Sequence, residues 1–244
     1  GTVTTLASLT LTSGYNWGGM CKNLNTADYI YIIQFTSSGG SPANNVKLFR
    51  YSISGNSWTE VGNFTSTNGI SAWGAGITYD KPNSRLILDM QAPSSQTLRY
   101  AINPSDGSKI QETLLAIPTN YKTGVAILTS GKLVASPYYT TPSTGTPGIK
   151  IWDTPWVTTG KIIAQESWND GITIHGECGT DVIVSATSAY TIMLLNISTE
   201  KIISRVFKPW NAKCIGHNGE YLYFMDSTGS TTYEVSCYRK KLVM

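Results

Sequence analysis

Charge is scarce in this sequence: 14% of its 244 residues are Asp, Glu, Lys or Arg, where an ordinary globular chain carries about 25%. Coiled coils and long-helix proteins depend on such residues for their solvent faces, so that class is excluded. Long apolar runs are missing as well. Runs such as Tyr29 to Ile33 and Ile192 to Leu195 fall far below the ~20 residues of a membrane helix, and no membrane insertion is expected. Histidine occurs twice, at His175 and His217, and the four cysteines (Cys21, Cys178, Cys214, Cys237) form no Cys-x-x-Cys pair. With no companion histidine at zinc spacing, neither a metal site nor a cofactor is expected. Spacing leaves the pairing of the cysteines open. Net charge is +3, and the basic residues are scattered except for Arg239-Lys240-Lys241 near the C-terminus. Such a run reads as a solvated chain end, so nucleic acid is not an expected partner. An initial Met and an apolar leader are lacking too, and the chain reads as a piece of a longer polypeptide or assembly.

What is abundant is hydroxyl and ring. There are 31 threonines and 26 serines, and 41% of the residues are hydrophobic, with seven tryptophans and fourteen tyrosines that need a core to pack in. Short apolar segments recur in a fixed order. Tyr29-Ile-Tyr-Ile32, Leu86-Ile-Leu88, Leu133-Val-Ala135, Val182-Ile-Val184 and Leu222-Tyr-Phe224 each follow a turn rich in Asn, Asp, Gly or Ser, the signature of a hairpin. Ahead of each turn lies a stretch of small residues such as Gly18-Gly19 or Gly74-Ala-Gly76, and a third segment follows each apolar one. A fourth follows in four units, and the fifth unit ends after its third, leaving Thr2 to Leu6 to supply the missing strand.

This order predicts an all-β, five-bladed β-propeller spanning residues 1–244 as a single domain. Each blade is a sheet of four antiparallel strands that cannot bury its faces alone, and the N-terminal strand closes the last blade. The blades are expected at about 15–68, 69–120, 121–168, 169–210, and 211–244 together with 1–13. Small residues belong on the innermost strand, where strands crowd around the axis. The mean unit of roughly 49 residues is near the ~50 of a kelch repeat. The segment Tyr51-Ser-Ile-Ser-Gly-Asn-Ser-Trp58, after an apolar strand and the pair Gly39-Gly40, resembles a kelch repeat. The other units depart from that pattern: the second keeps Tyr100 without the Trp, and the fourth has Leu195 and Ile202 at the same separation. The resemblance implies an architecture, and it implies binding more than catalysis.

An aromatic stands just ahead of each innermost segment: Trp17, Trp73, Tyr121, Trp168 and Trp210, with spacings of 56, 48, 47 and 42. Recurrence in every unit favours rings that fill the wedges between blades. Their polar neighbours, Asn169 and Asn211 among them, favour a ring of aromatics at the channel mouth on which a sugar stacks or a protein partner anchors. His175-Gly176-Glu177 puts an imidazole and a carboxylate two residues apart, on one face of a regular strand, so both are candidates to line the channel. A hydrogen-bonded core histidine is the plainer reading, and Asp80 and Asp89 read as turn and strand-end carboxylates. Five-bladed propellers also include glycoside hydrolases, whose chemistry needs two facing carboxylates. Here the inner segments carry Glu177 alone, with Asp170 just before it in the same unit.

No catalytic residues are therefore assigned. The chain is expected to be a non-enzymatic recognition or attachment module for a cell-surface glycan or protein, extracellular or on a virion surface. Its long Ser/Thr/Gly loops supply contact surface, and two glycosylation triplets, Asn63-Phe-Thr65 and Asn196-Ile-Ser198, fit an exposed chain. A carbohydrate-active enzyme with an acid pair in the channel, and a structural virion or assembly subunit, are the alternatives.

Overall fold

The computed structural model describes residues 6–71, 75–93, 96–118, 125–135, 148–157, 160–165, 172–178, 181–186, 191–207, 213–217, 221–228 and 234–241. Among them there are strands and turns and no helix. The first sheet runs β1 (Asn16–Lys22), β2 (Tyr29–Phe35), β3 (Asn45–Ser52) and β4 (Ser57–Thr65). The second is β5 (Ala75–Asp80), β6 (Arg85–Gln91), β7 (Gln96–Ile102) and β8 (Lys109–Pro118). The third is β9 (Val125–Ile127), β10 (Leu133–Ala135), β11 (Gly148–Trp152) and β12 (Lys161–Gln165). The fourth is β13 (Ile172–Cys178), β14 (Asp181–Ala186), β15 (Thr191–Asn196) and β16 (Lys201–Phe207), and β17 (Lys213–His217), β18 (Tyr221–Thr228) and β19 (Glu234–Lys241) complete the set. Every sheet is an antiparallel meander in sequence order, four of them with four strands and the last with three among the described residues.

Alternation along the strands explains how the sheets stack. In β6, Leu86, Leu88 and Met90 join Tyr31, Ile33, Phe35 and Leu48 of the first sheet in one core. Ile87, pointing the other way, joins Ala101, Leu115, Val125, Leu133 and Trp152 in a second core against the third sheet. The pattern repeats once more: Ala126, Val134 and Ile151 pack on Ile174, Val182 and Leu195 of the fourth. A central strand covered on both faces must be apolar at nearly every position, and Leu86, Ile87 and Leu88 are all fully buried.

The first strands of successive sheets lie side by side, β1 next to β5, β5 next to β9, β9 next to β13 and β13 next to β17. Glycine is what allows the closest of these approaches. A Cβ on Gly19 would sit 2.9 Å from the backbone N of Ile77, and one on Gly18 would sit 3.3 Å from Ala75 Cβ of β5 and 2.2 Å from Ile33 Cγ1 of its own sheet. The β1–β2 register slips between Trp17 and Met20, at this same glycine pair. Crowding of the innermost strands, expected from their small residues, is thus met at β1 and β5.

The Tyr51–Trp58 spacing has a local meaning. The two residues face each other across the β3–β4 hairpin, with ring centroids 5.0 Å apart. Trp58 Nε1 also donates to the carbonyl of Ala7 at 2.9 Å. Ala7 N in turn donates to Asn56 Oδ1 at 2.8 Å, Gln34 Nε2 donates to Thr10 O, and Gln34 Oε1 accepts from Thr12 N, both at 2.9 Å. Residues 7–12, grouped with the fifth unit by sequence, therefore run without strand structure along the first sheet. They lie on the face of Gln34, opposite Ile33 and Phe35 and the second sheet. Residues 1–5 lie outside the described residues.

Candidate functional site

A cavity of about 640 Å³ opens where the first strands of four sheets end. Its walls come from Met20 to Lys22 of β1, Ile77 to Tyr79 of β5, Val125 to Ile127 of β9, and Ile174, Gly176 and Glu177 of β13. Leu24, Lys81 and Thr129 stand in the turns that follow three of those strands. The volume suits a small ligand, for which clefts of ~300–1,000 Å³ are usual.

Glu177 is the carboxylate of this cavity among the described lining residues. It is half-buried, and its Oε2 accepts from Thr129 N at 2.8 Å and from Thr129 Oγ1 at 2.6 Å. These bonds fix the side chain across the third and fourth sheets. Tyr79 is buried, and its hydroxyl accepts from Asn25 Nδ2 at 3.2 Å. Burial pushes the Tyr31 hydroxyl above its ordinary value, a rise only partly offset by a hydrogen bond from Asn23. Cys21 packs against the first core, and burial raises its thiol well above the ordinary range, so it stays protonated and inert as a nucleophile. Met20 and Leu24, by contrast, are 64% and 50% exposed at the rim.

Of the residues expected to form a site, Glu177 lines this cavity. Trp17 lies near the start of β1, 44% exposed, and is not among the lining residues. It and Glu177 are therefore not brought together. Trp73, Tyr121, Trp168, Trp210, Asn169 and Asn211, together with Asp170, lie outside the described residues. At His175 the β13–β14 register slips between Ile174 and Gly176, and Gly176 has φ +122°, a conformation that favours glycine. The bulge interrupts the regular alternation that this pairing assumed, and the His175 side chain lies outside the described residues. Asp80 and Asp89 are structural, as expected. Asp80 meets Arg85 Nε at 2.8 Å, and Asp89 holds Arg99 through two bonds of 2.6 Å. Among the described residues no three His, Cys, Asp or Glu side chains gather as metal ligands.

Lys22, Lys81 and Thr129 were missed. The available signal was positional: Lys22 ends the first inner strand, Lys81 follows the second, and Thr129 stands two residues beyond the third.

No known family description and no curated protein matches the sequence. Solved structures resemble it in fold. A protein of unknown function from Bacteroides caccae, 12% identical, has a TM-score of 0.58 over 91% of this chain and 74% of its own. Hydrazine synthase from Kuenenia stuttgartiensis, 8% identical, reaches 0.51 over 92% of this chain and 83% of that one. The β-propeller domain of the Trilobed protease from Pyrococcus furiosus, 9% identical, has a TM-score of 0.48 over 95% and 70%. At such identities the likeness concerns the fold alone.

Proposed function

We propose that the chain is a recognition module built as a five-bladed, kelch-like β-propeller, working outside the cell or on a virion, with the axial cavity as its binding site. The ring is supported by the side-by-side first strands of five sheets. It is supported also by residues 7–12, which line the face of the first sheet that a fifth blade would meet. The observation that carries the function is the cavity itself: four strands converge on it, it is open, and polar and aliphatic side chains share its rim. Binding needs only such convergence. Glycoside hydrolysis needs two carboxylates about 5–9.5 Å apart, and Glu177 stands without a facing carboxylate among the described lining residues.

Immobilised glycans and whole-cell retention test the proposal with the wild type and a rim-blocking Met20→Trp variant. Retention by the wild type that falls at least tenfold in the variant is the expected result. Equal retention moves the site away from the cavity, and turnover of fluorogenic glycosides would replace recognition by catalysis.

A further inference from the structure

We infer that the axial cavity selects an acidic saccharide, a sugar bearing a carboxylate or sulfate, an inference that rests on the recognition reading above. The argument begins with unmatched charge. Six ion pairs occur among the described residues, and they engage Lys47, Arg85, Arg99, Lys109, Lys132 and Lys161. Lys22 and Lys81 both line the cavity, and both are exposed. Neither has a carboxylate partner among the described residues. They stand on neighbouring sheets, one at the end of β1 and one just after β5, so two lysines line one opening with no counter-ion among the described residues.

Glu177 does not supply that counter-ion. Its Oε2 is committed to Thr129, and its Oε1 accepts no hydrogen bond among the described residues. Two lysines against one carboxylate make the described lining net positive, which attracts an anion. The free carboxylate oxygen is an acceptor that suits a donor hydroxyl. Met20 and Leu24 add exposed aliphatic surface at the same rim, matching the C–H face of a pyranose. An inorganic anion would use the lysines and leave both the acceptor and the aliphatic surface idle. A neutral sugar would leave the two ammonium groups unmatched. A ring that carries both hydroxyls and a negative group uses all three features.

The test compares sialylated, uronic-acid and sulfated oligosaccharides with their neutral counterparts, immobilised on one array. Wild type, Lys22→Gln/Lys81→Gln and Glu177→Gln are measured, each checked by thermal melting; both lysines are exposed, so the double variant should melt with the wild type. Acidic glycans should be retained in preference, with affinity at least tenfold lower in the lysine variant and falling as ionic strength rises. Glu177→Gln should weaken acidic and neutral ligands alike. If neutral glycans bind equally well and the lysine variant matches the wild type, the inference fails while recognition stands. If acidic glycans are retained but the lysine change has no effect, the charge argument fails. Retention of no glycan by the wild type overturns the inference, and loss of whole-cell retention as well overturns recognition.

Discussion

Glu112 shows how much a single side chain can organise in a chain so short of charge. It projects from β8 into the connection between the first two sheets. There it accepts from Ser66 Oγ at 2.8 Å, from Asn68 Nδ2 at 2.7 Å, and from the backbone N of Thr67 and Asn68 at 3.1 Å each. Lys109 closes the cluster with an ion pair, and Tyr100 donates to the same Ser66 at 2.8 Å. Burial on its own would raise the carboxyl's pKa. The hydrogen bonds from Lys109, Asn68, Ser66 and Thr67 outweigh it and hold the group at about 2, below the ordinary 4.5. A carboxylate depressed in the folded state contributes stability that is complete above its ordinary value and is lost as pH falls from there through the folded value. Glu112→Ala should cost about 2–3 kcal/mol at neutral pH, because it leaves several donors without their acceptor. Urea unfolding from pH 7 down to pH 2 would measure it. The gap between wild type and variant should stay constant to about pH 5 and shrink below. A gap that does not change with pH would mean the loss is packing and not charge. Little of this was legible in the sequence, where Glu112 is one acidic residue in a strand and its donors other than Lys109 lie 44 to 46 positions away.

Among the elements, hairpin order was the readable part and close approach the unreadable one. Apolar segments between turns located the β2, β6, β10, β14 and β18 strands, because a strand flanked by others is apolar whatever its partners are. The bulges at Gly18-Gly19 and at His175 were not visible. An extra residue in a ladder depends on the partner strand's register, and that is a property of two segments. The same limit hid the contact between the outer strand β4 and the β7–β8 turn. Gly62 Cα lies against Gly107, which has φ +70°, and a Cβ on Gly62 would fall 2.1 Å from the Asp106 carbonyl. Backbone is the obstacle there, so no rotamer change relieves it. Gly62→Ala should therefore destabilise by about 1–3 kcal/mol as an overpacked contact. Gly39→Ala, where a Cβ meets nothing within 4 Å, should be close to neutral. Denaturation midpoints of the pair decide it, and equal midpoints would show that the turn moves aside without cost.

At the scale of the whole molecule, the order of segments led to five units, but nothing in that order marked the described cavity. Repeated aromatics drew attention to the starts of the inner strands, whereas the described cavity lies at their ends, among Lys22, Lys81 and Glu177. Those three residues follow no common type, so no repeat marks them, and only stacking of the sheets shows that their turns share one opening. Closure of the ring is the remaining question at this scale, and the N-terminal segment offers a way to ask it. Residues 7–12 are tied to the first sheet through Gln34, Asn56 and Trp58. In the proposed ring they also face the fifth sheet, and residues 2–6 complete it. Deleting residues 1–12 then removes support from two sheets that are farthest apart in sequence and, in a closed ring, adjacent in space. Amide hydrogen exchange reads the sheets separately. A closed ring predicts that protection falls together in β1–β4 and in β17–β19, while β5–β8, buried between its neighbours, keeps most of its own. Loss confined to β1–β4 would mean that the segment belongs to the first sheet alone and that the sheets form an open arc, because an edge shared by two blades cannot be removed from only one of them.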